Sequence, residues 1–161
     1  MLVKREHKLT DKKVKAKNIA ILVVDDDAET KDRYINKFAA KGIAQNGISL
    51  LSKSYGPEIS TADYCKEALN DGFVIGAIIM DGSWIMDGEN GDNINTVETL
   101  RQWGYKGLII AASASQRLNK KLLEAGADCS IGEDFPDDYD RDLNKMIAVT
   151  MAIDHVKEIM K

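Results

Sequence analysis

Carboxylates recur directly after apolar runs in this chain. "ILVVDDD" ends on Asp25, Asp26 and Asp27, "IIMD" on Asp81, and "CSIGED" on Glu133 and Asp134, while "LIIAAS" ends on the hydroxyl of Ser113. Carboxylates held together repel one another unless a cation relieves them, and hard oxygen ligands with open water positions suit Mg²⁺. Such a cation would also neutralise a phosphoryl group brought to a carboxylate, and a carboxylate can itself be the nucleophile that accepts it. Asp81 is the expected acceptor. Acids also follow strands simply as caps for the next helix, and Asp27 is expected to be one.

These side chains meet only if the runs before them are neighbouring parallel strands. From Asn18 onward, apolar strand-like runs alternate with helix-period stretches, the pattern of a parallel sheet covered on both faces. "IAILVV" (19–24), "VIGAIIM" (74–80), "GLIIAAS" (107–113) and "DCSI" (128–131) read as strands one, three, four and five. Strand two is expected near Glu58 to Thr61, with "ISLL" as the alternative. Helices are expected in "AETKDRYINKFAAKG", where Tyr34, Ile35 and Phe38 make the apolar face, in "ADYCKEALNDG", in "NINTVETLRQWG", in "QRLNKKLLEAG", and in a long final stretch with a largely apolar stripe through Leu143, Met146, Ile147, Thr150, Met151, Asp154 and Val156. The fold class is α/β, a doubly wound five-stranded parallel sheet with helices on both faces. Ligands of such sheets sit beyond the carboxyl ends of the strands, where the order reverses.

Composition narrows the function classes. At 161 residues, 44% apolar and 30% charged, the chain suits one core without a stapling disulfide or structural metal. Cys65 and Cys129 are expected to be buried free thiols, which points to a reducing, cytoplasmic setting. No apolar run approaches the roughly 18 residues of a membrane span. Residues 1–17 hold seven Lys or Arg against Glu6 and Asp11, so a basic tail precedes an acidic body. A solvated tail is the simplest account, and no direct DNA binding is expected. The organisation is thus a tail (1–17), a domain (18–150) and an extension of the last helix (151–161), whose Met151, Ile153, Val156 and Ile159 either lengthen the core stripe or form a homodimer or partner surface. "DGENGDN" (87–93) reads as a polar turn before a helix rather than a calcium loop.

The order of these motifs resembles the receiver domain of bacterial response regulators, over most of residues 19–150. "ILVVDDD", "IIMD", "MDGENG", "LIIAASA" and "LLEAGAD" carry the resemblance. It implies a flavodoxin-like, receiver-type sheet and a signalling module rather than an enzyme. Asp81 would take a phosphoryl group from a phosphohistidine on a sensor histidine kinase or phosphotransfer protein. Asp25 and Asp26 would hold Mg²⁺, with Asp81 and the backbone carbonyl of Ser83 as further ligands, and Ser113 would swing toward the phosphoryl oxygen. The signal would pass to a protein partner through the face of helix four, strand five and helix five. Several positions depart from the family. Trp84 and Ile85 replace its "MP", Ser130 falls on its aromatic switch position, and "GADCSIGEDF" puts Glu133 where the family's site lysine stands. Lys120 and Lys121 are nearby cations in sequence but read as solvent-facing. A scaffold that keeps the fold without phosphorylation is the alternative. A phosphatase of haloacid-dehalogenase type, which Asp25, Ser113 and a lysine resemble only in part, would need Thr or Val where Glu29 stands.

Overall fold

The computed structural model describes residues 18–25, 28–53, 61–80, 93–113, 115–131 and 141–161. Strand β1 spans Ile19–Val24 and helix α1 Ala28–Ala40; a single 3-10 turn, Ala44–Asn46, leads to β2, Ile48–Lys53. Helix α2 (Thr61–Asn70), β3 (Val74–Met80), α3 (Asn93–Trp103), β4 (Leu108–Ala111), α4 (Gln116–Ala125), β5 (Cys129–Ser130) and α5 (Arg141–Met160) follow. The five strands form one parallel sheet in the order β2-β1-β3-β4-β5. The order reverses between β1 and β3, so the crevice of a doubly wound sheet lies beyond their carboxyl ends.

Alternation along the strands divides the core in two. Ile19, Ile21 and Val23 of β1 pack with Ala77 and Ile79 of β3 against α1 and α5, through Tyr34, Phe38, Ala148, Val149, Ala152, Ile153 and Val156. Ala20, Leu22 and Val24 join Ile78 and Met80 on the other face, with Cys65, Val97, Leu100, Leu118 and Leu122 from α2, α3 and α4. Both faces of β1 and β3 are buried, which is why their sequences are continuous apolar runs rather than alternating ones.

The second strand is a correction. Thr61 opens α2, and the place beside β1 is taken by Ile48–Lys53, in register from Ile19 with Ile48 to Val24 with Lys53. No long connection is needed. After α1 the chain turns through Ala44–Asn46, and Gly47 at φ 76° admits the left-handed backbone that starts the strand, while the Ile48 amide bonds back to Ile43. Two apolar positions are also placed differently from expectation. Ile35 is 42% exposed and Leu143 48%, because Tyr34 with Phe38 on α1, and the Val149 to Val156 ridge on α5, already fill the faces toward the sheet.

Gly76 explains how closely α5 approaches. The β1–β3 ladder pairs Ala20 with Ile75 and then Ile21 with Ala77, leaving Gly76 as the extra residue of a bulge. A Cβ there would stand 3.0 Å from Val156 and 3.4 Å from Ile159. The last turns of α5 therefore pack on the beginning of the sheet, and Ala152, Ile153 and Val156 are core residues.

Both cysteines are free, Cys65 buried and Cys129 partly so. Burial pushes the Cys65 thiol up to about 12, and burial foremost, with the Asp128 charge, raises Cys129. Tyr105 keeps part of its ring surface exposed, yet its hydroxyl donates to Ile75 O at 2.8 Å, and burial raises it well above 10.0. All three groups have folded values above their unfolded ones. The stability they contribute is whole below the ordinary thiol value of 9.0 and is lost as pH rises toward about 12. The melting temperature is expected to hold from pH 7 to 9 and fall steeply above that, with a shallower fall in Cys65→Ala; equal slopes in the two proteins would refute the assignment.

Candidate functional site

The crevice is built from strand ends. Asp25, the residue after β1, is 2% exposed, and continuing the alternation of Ile19, Ile21 and Val23 puts it on the sheet face covered by α1 and α5. An acid enclosed this deeply needs compensation by hydrogen bonds or positive charge, and Asp25 is not without an interaction in the structure. Asp26, Asp81, Ser83 and Glu133 lie outside the described residues, as do Asp27, Trp84, Ile85 and Asp134. The residues that lead into these segments are placed: Met80 is the last residue of β3, the central strand beside β1, and Ile131 follows β5. Among the described residues no group of three or more His, Cys, Asp or Glu side chains could hold a metal. Asp25 is the one expected metal ligand among them, and its carboxylate is the hard, anionic oxygen donor that Mg²⁺ prefers.

Ser113 lies beyond β4 and is 2% exposed. Its surroundings are more constrained than the sequence suggested. The Asn119 carboxamide, completely buried on α4, accepts from the Ser113 amide at 2.9 Å and donates to the Ser113 carbonyl at 2.8 Å and the Ile131 carbonyl at 3.4 Å. The Ser113 hydroxyl oxygen accepts from the Ser115 amide at 3.0 Å, and Ser115 in turn caps α4 by accepting from Leu118 N at 3.2 Å. One side chain thus holds the backbone of Ser113 and ties it to the end of β5. The hydroxyl retains its own proton for donation, and rotation of the side chain gives up only the bond from Ser115.

Basic groups are distributed differently from expectation. Lys120 is exposed and Lys121 partly so, in keeping with their solvent-facing reading. Lys145, on the second turn of α5, is only 7% exposed, with its ammonium 5.7 Å from the centroid of the Tyr34 ring. Its neighbour Asn144 is 4% exposed, and among the described residues neither Nδ2 nor Oδ1 of its carboxamide has a hydrogen-bond partner. A signal for these residues was present in the sequence. Lys145 stands four residues before Val149 and so interrupts the apolar ridge at a core position, as Asn119 does between Leu118 and Leu122.

The opposite, amino end of the sheet is held by Arg101. Its guanidinium donates to Gly126 O at 3.0 Å, Tyr105 O at 2.8 Å, Gly107 O at 3.0 Å and Asp128 Oδ2 at 2.8 Å, and Asp128 also accepts from the Ile109 amide. These contacts join the ends of α3 and α4 to the start of β4. They are structural, at the end of the sheet away from the crevice.

No family model matches the sequence, and no curated protein matches it. Solved structures do. A response regulator receiver protein from Pseudoalteromonas atlantica superposes with a TM-score of 0.51 at 15% identity, over 84% of this chain and 97% of that one. The receiver domain of a histidine kinase from Arabidopsis thaliana gives 0.52 at 15% identity, over 91% and 95%. A chemotaxis response regulator of Vibrio cholerae gives 0.51 at 11% identity, over 84% and 98%. Strand order, crevice position and these superpositions agree: the chain has the α/β fold of response regulator receiver domains.

Proposed function

We propose that the chain is a phospho-acceptor receiver module of two-component signalling, working in the cytoplasm. The observation that carries this reading is Asp25, a carboxylate buried at the point where the strand order reverses, with the Ser113 hydroxyl held beyond the end of β4. Asp81 follows the central strand β3 in sequence and is the acceptor in this reading. Its carboxylate oxygen attacks phosphorus as the P–N bond to the imidazole of a phosphohistidine breaks, on a sensor kinase or phosphotransfer protein. Asp25, Asp26, Asp81 and the Ser83 carbonyl would hold Mg²⁺, which supplies positive charge against the clustered acids and the phosphoryl oxygens. Ser113 donates its hydroxyl proton to a phosphoryl oxygen by rotating about its side-chain bond. The readout surface is the face of α4, β5 and α5, recognised by a protein partner.

A second reading is favoured by two features. Glu133 stands in sequence where the family has a lysine, and Asn119 clamps the segment that must move. A scaffold that binds its partner without phosphorylation would keep the fold and need neither movement nor lysine.

Incubation with Mg²⁺ and acetyl phosphate or beryllofluoride separates the two. The phospho-acceptor reading expects an acyl-phosphate mass gain, or amide shifts around Ser113 with beryllofluoride, abolished in Asp81→Asn. No response at millimolar Mg²⁺ would leave the scaffold.

A further inference from the structure

Among the described residues, Asp25 and Lys145 are the two buried side chains that carry a formal charge. Three observations bring them to one level of the molecule. Val156 and Ile159 of α5 pack at Gly76 and Ile19, the beginning of the sheet. At a rise of about 1.5 Å per residue, Lys145 lies about 16 Å back along the helix from Val156. At about 3.3 Å per residue, β1 climbs about 20 Å from Ile19 to Asp25. The helical Cα–Cβ bond leans toward the helix N-terminus, which carries the Lys145 side chain further toward the carboxyl ends of the strands. Asp25 and Lys145 also share a sheet face, that of Val23, Tyr34 and Val149.

Burying an ammonium is unfavourable unless negative charge or hydrogen bonds compensate it, and Lys145 and Asp25 each have a polar or electrostatic interaction in the structure, Lys145 besides its contact with the Tyr34 ring. The position is one where an aliphatic side chain would pack in register with Val149 and Val156. Asn144 adds an independent sign of the same kind. Its buried carboxamide, with no partner on either atom among the described residues, is unfavourable as it stands, and it lies on the same first turns of α5. Two polar side chains in core positions mark this end of the helix as built for a polar ligand.

We propose that Lys145, assisted by Asn144, is the cationic side of the crevice: its ammonium offsets the buried Asp25 carboxylate and attracts the phosphoryl-type anion, the task that Glu133, after β5 in sequence, cannot perform. The inference rests on the phospho-acceptor reading and adds to it the source of the missing positive charge. Lys145 would act on the metal through Asp25, as a positioning residue, and on the anion through the field it supplies.

The test measures Mg²⁺ affinity and Mg²⁺-dependent beryllofluoride affinity by NMR or intrinsic fluorescence, in the full chain and in Lys145→Met, which keeps the length of the stem. Removing a cation beside the acids should tighten Mg²⁺ binding about 3- to 10-fold while weakening beryllofluoride at least 10-fold. Lys145→Arg should restore both to within about 3-fold. A purely structural role would weaken both together, and near-UV circular dichroism of each variant establishes that the fold is retained. Asn144→Leu should weaken beryllofluoride about 3-fold with Mg²⁺ affinity unchanged. Wild-type binding of both ligands with identical constants in Lys145→Met would overturn this inference and leave the phospho-acceptor reading standing. No response in the wild type itself would overturn that reading and the inference together.

Discussion

Replacement of Arg101 by methionine is expected to lower the unfolding free energy by about 3 kcal/mol, as a shift of the urea midpoint, and the melting temperature by roughly 10 °C. The methionine keeps much of the stem that passes Gly126 but removes the guanidinium over the Tyr105 ring and all four of its hydrogen bonds. The carbonyls of Tyr105, Gly107 and Gly126 lose their common donor, and Asp128 keeps only the Ile109 amide. Single bonds to a charged group contribute about 1.5–3 kcal/mol. Their sum does not apply here, because Arg101 is partly exposed, water reaches some of the vacated acceptors, and the Asp128 partner is nearly half exposed. Lysine at this position should recover less than half of the loss, since one ammonium cannot serve three carbonyls in a planar fan. A loss below about 0.5 kcal/mol would show that the clasp contributes nothing net. The crevice lies at the other end of the sheet, so ligand affinity at temperatures well below melting should stay within about 2-fold of wild type.

Asn119→Leu is the second large effect, of similar size and different consequence. Leucine keeps the branched skeleton at a somewhat larger volume, so the loss of about 3 kcal/mol comes mainly from stranding polar backbone, with some overpacking: the Ser113 amide and carbonyl lose their Asn119 partners inside the core, and the Ile131 carbonyl loses its longer bond. Asn119→Asp should be no better. It retains an acceptor for the Ser113 amide, loses the donor, and buries a charge. Native-state hydrogen exchange distinguishes this substitution from a general destabilisation: the Ser113 amide should lose its protection under conditions where β1 and β3 amides keep theirs. If Ser113 exchange follows the global stability in both proteins, Asn119 is a packing residue and not a local clamp.

Much of the sheet is legible in the sequence because β1 and β3 are buried on both sides, and their unbroken apolar runs coincide with the strands residue for residue. β2 is not, for a physical reason. As an edge strand it alternates less clearly, and "ISLLSK" carries two serines and a lysine. Its position depended on how sharply the chain turns after α1, which Gly47 and a single 3-10 turn settle. Ile35 and Leu143 show the limit of periodicity, since the helical spacing that places Tyr34 and Phe38 inward also permits an apolar neighbour that faces water. At the site, Asp25 and Ser113 stand at strand ends as expected, and both are enclosed. Asn119, Asn144 and Lys145 escaped notice because a polar residue in an amphipathic pattern is read as surface by default. Each falls on a core position of its own helix, and that mismatch between residue type and periodicity was the available signal.

Gly76 sets a length standard for the molecule. A helix is nearly inextensible, so whatever fixes one end of α5 along its axis fixes the other. With Val156 seated where residue 76 has no side chain, the bulge of β3 serves as a zero mark from which Lys145 is measured off at a set height. A side chain at position 76 would act as a shim under the far end of the helix, displacing a charge near the crevice through some 16 Å of rigid backbone, with no contact to the crevice itself.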